Sequence, residues 1–169
     1  MTHLARIATI VFVSIFALTV SVAADQTIYL VRHAEKQNDG TRDPSLTQLG
    51  KMRAIEIADM LATAELSRVY STNYKRTQET ASPSAKRVGL SVTPYDPRAL
   101  PEFAEKLKSL DGTSLVVGHS NTTPALVAML SGQDFPQLEE YQYDHLYVVT
   151  LKDDGGADVR IDYIEPRTP

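Results

Sequence analysis

The sequence contains no cysteine, so it can form no disulfide, no thiol nucleophile and no cysteine-ligated metal site. It also lacks a His-x-x-x-His pair and the carboxylate cluster that metal-dependent hydrolases use. We find no internal repeat, low-complexity tract or linker, and 169 residues are enough for one well-buried core. These absences predict one globular domain that needs no metal or other cofactor.

An excess of positive charge is missing as well. The chain has 17 Lys and Arg residues against 21 Asp and Glu residues, which gives a formal net charge of −4. A protein with this balance is a poor nucleic-acid binder, so we expect no nucleic-acid partner. Any positive field that serves function must be local.

The first 24 residues have the layout of a secretory signal peptide. Residues 7–20 are apolar apart from Ser and Thr, and the small residues Val22, Ala23 and Ala24 follow them. We expect cleavage after Ala24, a domain over residues 25–169, and a periplasmic or secreted location without stable membrane insertion. An uncleaved N-terminal anchor is the alternative.

Strand-like and helix-like segments alternate along the rest of the chain, which predicts an α/β three-layer sandwich. Its mostly parallel central sheet has helices on both faces, and a terminal hairpin adds an antiparallel edge. The predicted strands are residues 26–31, 68–71, 90–93, 115–117, 146–151 and 159–164. The predicted helices are residues 46–62, 72–88, 102–110 and 124–130.

Several details of the helices are also predicted. Ser45 or Thr47 caps the first helix, and Ile55, Ala58 and Leu61 or Ala62 share one of its faces. Pro83 bends or interrupts the second helix, since a proline removes a backbone donor and clashes with the preceding turn. Gly89 stops that helix.

Two of the predicted strands end in histidine. The first ends in Arg32-His33 and the fourth in Gly118-His119. Ligands bind outside the carboxyl ends of strands in such sheets, so the two histidines are expected to form one site. Arg76, one turn into the helix after the second strand, is expected to join them.

These side chains suit phosphoryl transfer. A neutral imidazole attacks phosphorus well, and a covalent intermediate divides one difficult displacement into two easier ones. Fixed cations stabilise the charged equatorial oxygens, and the planar fork of arginine suits that task. His33 is then the nucleophile, Arg32 and Arg76 bind the phosphoryl group, and a protonated His119 donates to it. Glu35 and Lys36 are interpreted as a loop pair at the rim.

Four blocks of sequence resemble the histidine phosphatase superfamily, which includes the phosphoglycerate mutases. They are Val-Arg-His-Ala-Glu-Lys at 31–36, Leu-Thr-Gln-Leu-Gly at 46–50, Arg-Thr-Gln-Glu-Thr-Ala at 76–81 and Val-Gly-His-Ser at 117–120. The resemblance implies that His33 becomes phosphohistidine and that Arg32, Arg76 and His119 form the phosphate pocket.

The general acid departs from the family pattern. Leu100-Pro101-Glu102 matches the start of the family's Leu-x-Glu context, but the glycines that follow it there are missing. Ser120 stands where another branch has Asp after the second histidine. Glu102 is the candidate acid, Asp96 is a weaker one, and a solvated carboxylate at a helix start is the alternative for Glu102. Without an acid, a substrate with a good leaving group, such as a phosphoramidate, is needed.

The sequence therefore predicts a phosphoric monoester hydrolase of the histidine acid phosphatase type. It would hydrolyse phosphomonoesters or phosphoramidates, from a small molecule or an envelope-linked substrate, through a phosphohistidine on His33. A phosphoglycerate mutase-like phosphotransferase and a non-catalytic phosphate- or phosphosugar-binding module are the alternatives. The oligomeric state is left open.

Overall fold

The computed structural model describes residues 25–169 of the chain. The predicted signal peptide at residues 1–24, with its cleavage after Ala24, lies outside the described residues. Within residues 25–169, no helix combines the length and the apolar character needed to span a membrane.

Six strands form one sheet in the described part of the chain. They are β1 (Gln26–Arg32), β2 (Leu66–Thr72), β3 (Val92–Tyr95), β4 (Thr113–Gly118), β5 (His145–Leu151) and β6 (Ala157–Tyr163). Their order across the sheet is β3-β2-β4-β1-β5-β6. Strands β1 to β4 run parallel, whereas β5 pairs antiparallel with β1 and β6 pairs antiparallel with β5. This arrangement confirms the predicted sheet and its antiparallel edge.

The helices cover both faces of the sheet. They are α1 (Gln48–Met60), α2 (Lys75–Arg87), α3 (Leu100–Lys108) and α4 (Thr122–Ser131). Side chains of α1 and α2 share one apolar cluster, and side chains of α3 and α4 share another. The three-layer α/β sandwich is therefore confirmed.

The central strands feed these two clusters alternately. In β1, Leu30 packs in the cluster of α3 and α4, whereas its neighbour Val31 packs in the cluster of α1 and α2. In β4, Val116 and Val117 divide in the same way. Successive side chains of a strand point to opposite faces, so a strand covered on both faces is apolar at consecutive positions.

Helix α1 has the predicted cap, and its buried face contains Ala58 and Leu61 as predicted but not Ile55. Thr47 is its N-cap and accepts a hydrogen bond from the Gly50 backbone N–H at 3.0 Å. Ile55, expected on the buried face, is 52% exposed. The buried positions, spaced three or four residues apart, are Ala54, Ile57, Ala58 and Leu61. Ile55 lies one residue outside that stripe, which turns it toward solvent.

Helix α2 differs from the prediction at its start and at its proline. It begins at Lys75 rather than at residue 72 or 73, because Thr72 is still paired in β2. The helix runs through Pro83 without interruption, since packing of its buried face against the sheet outweighs one missing backbone donor. Gly89 ends the helix as predicted, with a φ of 69°.

Several further boundaries are shifted, and β2, β4, β6 and α4 each begin two residues earlier than predicted. β3 begins at Val92, two residues later than expected, because its pairing with β2 starts where Val92 meets Val69. α3 begins at Leu100 instead of Glu102, with Pro101 in the first turn, where a backbone N–H is not needed.

A buried ion pair fastens the loop after β1 to α1. Arg53, 1% exposed, binds both carboxylate oxygens of Glu35 at 2.7–3.0 Å and donates to the Ile164 carbonyl at 3.0 Å. The predicted rim pair of Glu35 with Lys36 is therefore wrong, because Glu35 turns inward to Arg53. Gly50 completes this junction, since a Cβ there would lie 2.3 Å from the Glu35 carbonyl oxygen.

We expect Arg53→Met to lower the free energy of unfolding by about 3 kcal/mol, because it leaves the half-buried Glu35 carboxylate without its partner. Adding Glu35→Leu should restore most of that loss. Chemical denaturation measures both. Arg160→Met, which breaks an exposed pair with Asp162, is the matched control and should cost less than about 1 kcal/mol. An Arg53 effect no larger than the control would contradict a structural role for the buried pair.

Candidate active site

The strand order brings the predicted residues to one edge of the sheet. β1 and β4 pair in parallel with Arg32 opposite Gly118, so His33 and His119 follow directly at adjacent strand ends. The His33 backbone N–H donates to the Gly118 carbonyl at 2.9 Å, and the two imidazole centroids lie 5.6 Å apart. The first turn of α2 brings Arg76 to the same place.

His33 is buried, and its ring is held in one protonation state. Its Nδ1 lies 2.8 Å from the Ala34 carbonyl oxygen. A carbonyl only accepts, so Nδ1 carries the proton and the Nε2 lone pair is free. Burial lowers the pKa of His33 to about 3, and the charges of Arg32 and Arg76 act in the same direction. His33 is therefore neutral at neutral pH.

A chain of hydroxyl groups orients His119. Its Nε2 lies 3.0 Å from the Thr72 hydroxyl, which donates to the Thr77 hydroxyl at 3.0 Å, and Thr77 donates to the Thr72 carbonyl at 2.8 Å. The Thr72 hydroxyl has one proton, which it donates to Thr77. It therefore accepts a hydrogen bond from His119, so His119 Nε2 carries a proton. Nδ1 is then the nitrogen of His119 that can gain or lose one.

The positive charge expected on His119 is not favoured by its surroundings. Burial, followed by the charges of Arg76 and Arg32, lowers the pKa of His119 to about 4, so the ring is neutral near pH 7. An anion placed between the two arginines would offset their effect and raise this pKa. Protonation of His119 is thus expected to accompany an anionic ligand rather than to precede it.

Arg76 is held beside His119 by an aromatic ring. Its guanidinium lies 4.5 Å from the centroid of Tyr74, and that ring lies edge-on to His119 at 5.2 Å. Arg76 Nη1 is 3.8 Å from Asp43, and its buried Nε has no hydrogen-bond partner within residues 25–169. Glu79, three residues further along α2, accepts from the Leu46 backbone N–H at 2.7 Å, so Asp43 is the acid that pairs with Arg76.

Arg32 is fixed by the loop between α4 and β5. Its Nη1 donates to the carbonyls of Glu139, Glu140 and Gln142 at 2.8–3.1 Å, and its guanidinium lies 4.2 Å from the Tyr143 ring centroid. Along its other edge, Nη2 donates to the Glu140 carboxylate at 2.8 Å. The buried Nε on that edge has no partner in the described chain.

Three residues of the site were missed in the sequence. Tyr74, Glu140 and Tyr143 contact the predicted residues, yet none belongs to a recognised motif. Tyr74 had one available signal, its position between the end of β2 and Arg76. Glu140 and Tyr143 are far from Arg32 in sequence and become neighbours only through the fold.

The candidate acids lie outside these contacts. Glu102 is exposed in the first turn of α3, and no hydrogen bond or ion pair of the described residues joins it to the site. Asp96 is bound by Arg98, whose hydrogen bonds lower the pKa of that carboxyl group. Within residues 25–169, no group of three or more metal-ligating side chains could hold an ion.

Comparison with known proteins gives a family match. The histidine phosphatase superfamily (branch 1) matches residues 28–103, a range that includes Arg32, His33 and Arg76. The probable phosphoglycerate mutase GpmB of Citrobacter koseri is 29% identical over 101 residues, which are 56% of this chain and 43% of the relative. The chain thus spans less than half the length of the curated relative it matches.

Solved structures share the fold at low identity. A mycobacterial glucosyl-3-phosphoglycerate phosphatase has a TM-score of 0.65 and 16% identity, over 83% of this chain and 98% of its own. The protein histidine phosphatase SixA, complexed with tungstate, has a TM-score of 0.67 and 21% identity, over 83% and 97%. Residues 28–103 therefore match the histidine phosphatase superfamily, and the solved structures share the fold of the described residues.

Proposed function

We propose that this protein is a metal-independent phosphatase that hydrolyses phosphomonoesters or phosphoramidates through a phosphohistidine on His33. The observation that carries the proposal is the state of His33, which is neutral and has its Nε2 lone pair free beside two arginines. The family match and the phosphatase neighbours support phosphatase-type activity.

The reaction has two displacements. In the first, His33 Nε2 forms a bond to phosphorus while the bond from phosphorus to the leaving group breaks, and the leaving group takes up a proton. In the second, water attacks phosphorus, the nitrogen–phosphorus bond breaks, and the water gives up a proton. Inorganic phosphate leaves, and His33 returns to its neutral form.

The surrounding groups bind the transferred phosphoryl group. Arg32 Nε and Arg76 Nε are buried donors without a partner in the described residues, so a phosphoryl oxygen would satisfy both. His119 Nδ1 donates a third hydrogen bond once the bound anion has raised its pKa. Positioning and fixed positive charge are what phosphoryl transfer requires of a protein.

His33→Ala should lower turnover of an aryl phosphate by at least about 10³-fold, because no other group replaces the nucleophile. Rapid quenching of the unsubstituted protein should yield an acid-labile, alkali-stable phosphoprotein that the variant does not form. Matching thermal unfolding curves serve as the control for folding. Turnover that persists undiminished in His33→Ala would rule out the proposed nucleophile.

Glu140 competes with the substrate for Arg32. Its carboxylate occupies Arg32 Nη2 at 2.8 Å and lies 3.5 Å from the Lys36 ammonium group, although its side chain is largely exposed. A phosphoryl group that uses the Nε and Nη2 edge of Arg32 must therefore displace Glu140 or lie beside it. Two anions that share one arginine repel each other, so Glu140 weakens phosphate binding.

Glu140→Gln should tighten the binding of tungstate or inorganic phosphate about tenfold, which corresponds to one charge-assisted hydrogen bond gained by the ligand. Isothermal titration calorimetry measures the change. Glu139→Gln is the matched control, because it removes the same charge from the same loop without touching the ion pair, and it should change affinity less than about twofold. Weaker binding by Glu140→Gln would mean that Glu140 helps to hold the anion.

Glu102 is the proposed proton donor to the leaving group. Glu102→Gln should reduce kcat/KM for an alkyl phosphate by about 100-fold or more, because an alkoxide is a poor leaving group without a proton. An aryl phosphate should lose much less. Glu105→Gln, on the exposed face of the same helix, is the control. Equal, small losses for both substrates would remove Glu102 from the mechanism.

A further inference from the structure

A cavity of about 530 Å³ opens at the carboxyl ends of β2 and β3. This is the range of volumes that binds small organic molecules. The segments 73–74 and 94–98 line it. Tyr74, which contacts Arg76 and His119, and Asp96, the weaker candidate acid, lie in this lining, whereas Arg32, His33, Arg76 and His119 do not.

Tyr74 joins this cavity to the active site. Its ring lines the cavity, lies edge-on to His119 at 5.2 Å and lies under the Arg76 guanidinium at 4.5 Å. A phosphoryl group bound by these two residues would therefore lie next to the cavity, with Tyr74 between the two spaces. The part of a substrate that departs from phosphorus can enter the cavity without crossing the site.

Rings make up much of the cavity lining. Tyr95 is buried, and its ring stacks on Phe103 with centroids 4.2 Å apart and an interplanar angle of 5°. Pro94 and Pro97 add two rings whose backbone φ is fixed. Together with Tyr74, these surfaces are suited to stacking on a flat or cyclic group, and little ordering is required when it binds.

The cavity lining carries no net charge. Arg98 is its one cation within the described residues, and it donates to both carboxylate oxygens of Asp96 at 3.0 and 2.9 Å. A second anionic group on the substrate would therefore find no free cation there. Asn73 accepts from Gln78 at 2.8 Å through its oxygen, which leaves its amide N–H groups and the Asp96 carboxylate for hydroxyl groups.

We propose that this cavity binds the leaving group, and that the leaving group is an uncharged ring-bearing alcohol, either an aryl alcohol or a sugar. A short anionic group such as phosphoglycerate is disfavoured. This inference rests on the proposed phosphatase function and names the substrate class of the same site.

The test compares KM for phenyl phosphate, glucose 1-phosphate and 3-phosphoglycerate, with phosphoramidate as a small reference that cannot fill the cavity. KM is compared rather than kcat because an aryl alcohol is the better leaving group wherever it binds. At least one ring substrate should have a KM about tenfold or more below that of 3-phosphoglycerate. A preference for phenyl phosphate indicates an aryl leaving group, and a preference for glucose 1-phosphate indicates a sugar. Equal values for the ring substrates and 3-phosphoglycerate, or a preference for 3-phosphoglycerate, overturn the inference. The proposed phosphatase function still stands in that case if phosphoramidate is turned over.

Removal of one negative charge tests whether the lack of a free cation in the lining disfavours anionic leaving groups. Asp96→Asn frees Arg98 and should raise kcat/KM for 3-phosphoglycerate about fivefold, because an exposed charge pair contributes up to about 1 kcal/mol. The added substitution Arg98→Gln should return kcat/KM for 3-phosphoglycerate to its original value. No change with Asp96→Asn would show that the cavity does not hold the leaving group.

If the proposed phosphatase function is wrong, no substrate is turned over and His33 is not phosphorylated. In that case calorimetry with phenylphosphonate and 3-phosphonopropionate decides the cavity question. Tighter binding of phenylphosphonate, by about tenfold, supports a ring-binding cavity, and equal or weaker binding overturns it.

Discussion

The parallel pairing of β1 with β4 is the constraint on which the site depends. Both strands are central, and their register places Arg32 opposite Gly118. A shift of one residue would turn His33 toward the opposite face of the sheet and would reverse the alternation that fills both cores. A Cβ on Gly118 would lie 2.8 Å from the hydroxyl groups of Thr123 and Tyr95, so the β4 end tolerates no larger residue. The packing that stabilises the fold also fixes the distance between the histidines.

Two arginines next to two histidines create the chemical character of the site. Their positive charge and the burial of the rings act in the same direction and keep both imidazoles neutral. For His33 this leaves the Nε2 lone pair free, as the proposed nucleophile requires. For His119 it means that a bound anion would raise the pKa of the ring and so would add the donor that the proposed mechanism uses. Glu140 supplies part of the compensating negative charge through its ion pair with Arg32.

Much of this arrangement could be predicted from the sequence because its signals are local. Apolar runs that end in His33 and His119 identify two central strands, and Gly89 and Thr47 mark helix ends by backbone chemistry alone. Contacts between distant segments could not be predicted. The Arg53–Glu35 pair and the loop that holds Arg32 depend on tertiary packing. The continuous helix through Pro83 has the same cause, since burial of its face outweighs a local preference.

The identity of the leaving group and the need for a general acid are linked. Glu140 is tied to Arg32, Asp96 is tied to Arg98, and Glu102 lies exposed on α3. An aryl alcohol has a pKa near about 10, as the tyrosine side chain does, so its anion can leave without full protonation. A sugar alcohol is far less acidic and needs a proton donor. If the cavity prefers an aryl group, the leaving group needs little help from a general acid, and carboxylates that lie outside the site would be sufficient. A preference for a sugar would require Glu102, or another carboxylate, to reach the leaving oxygen in the complex.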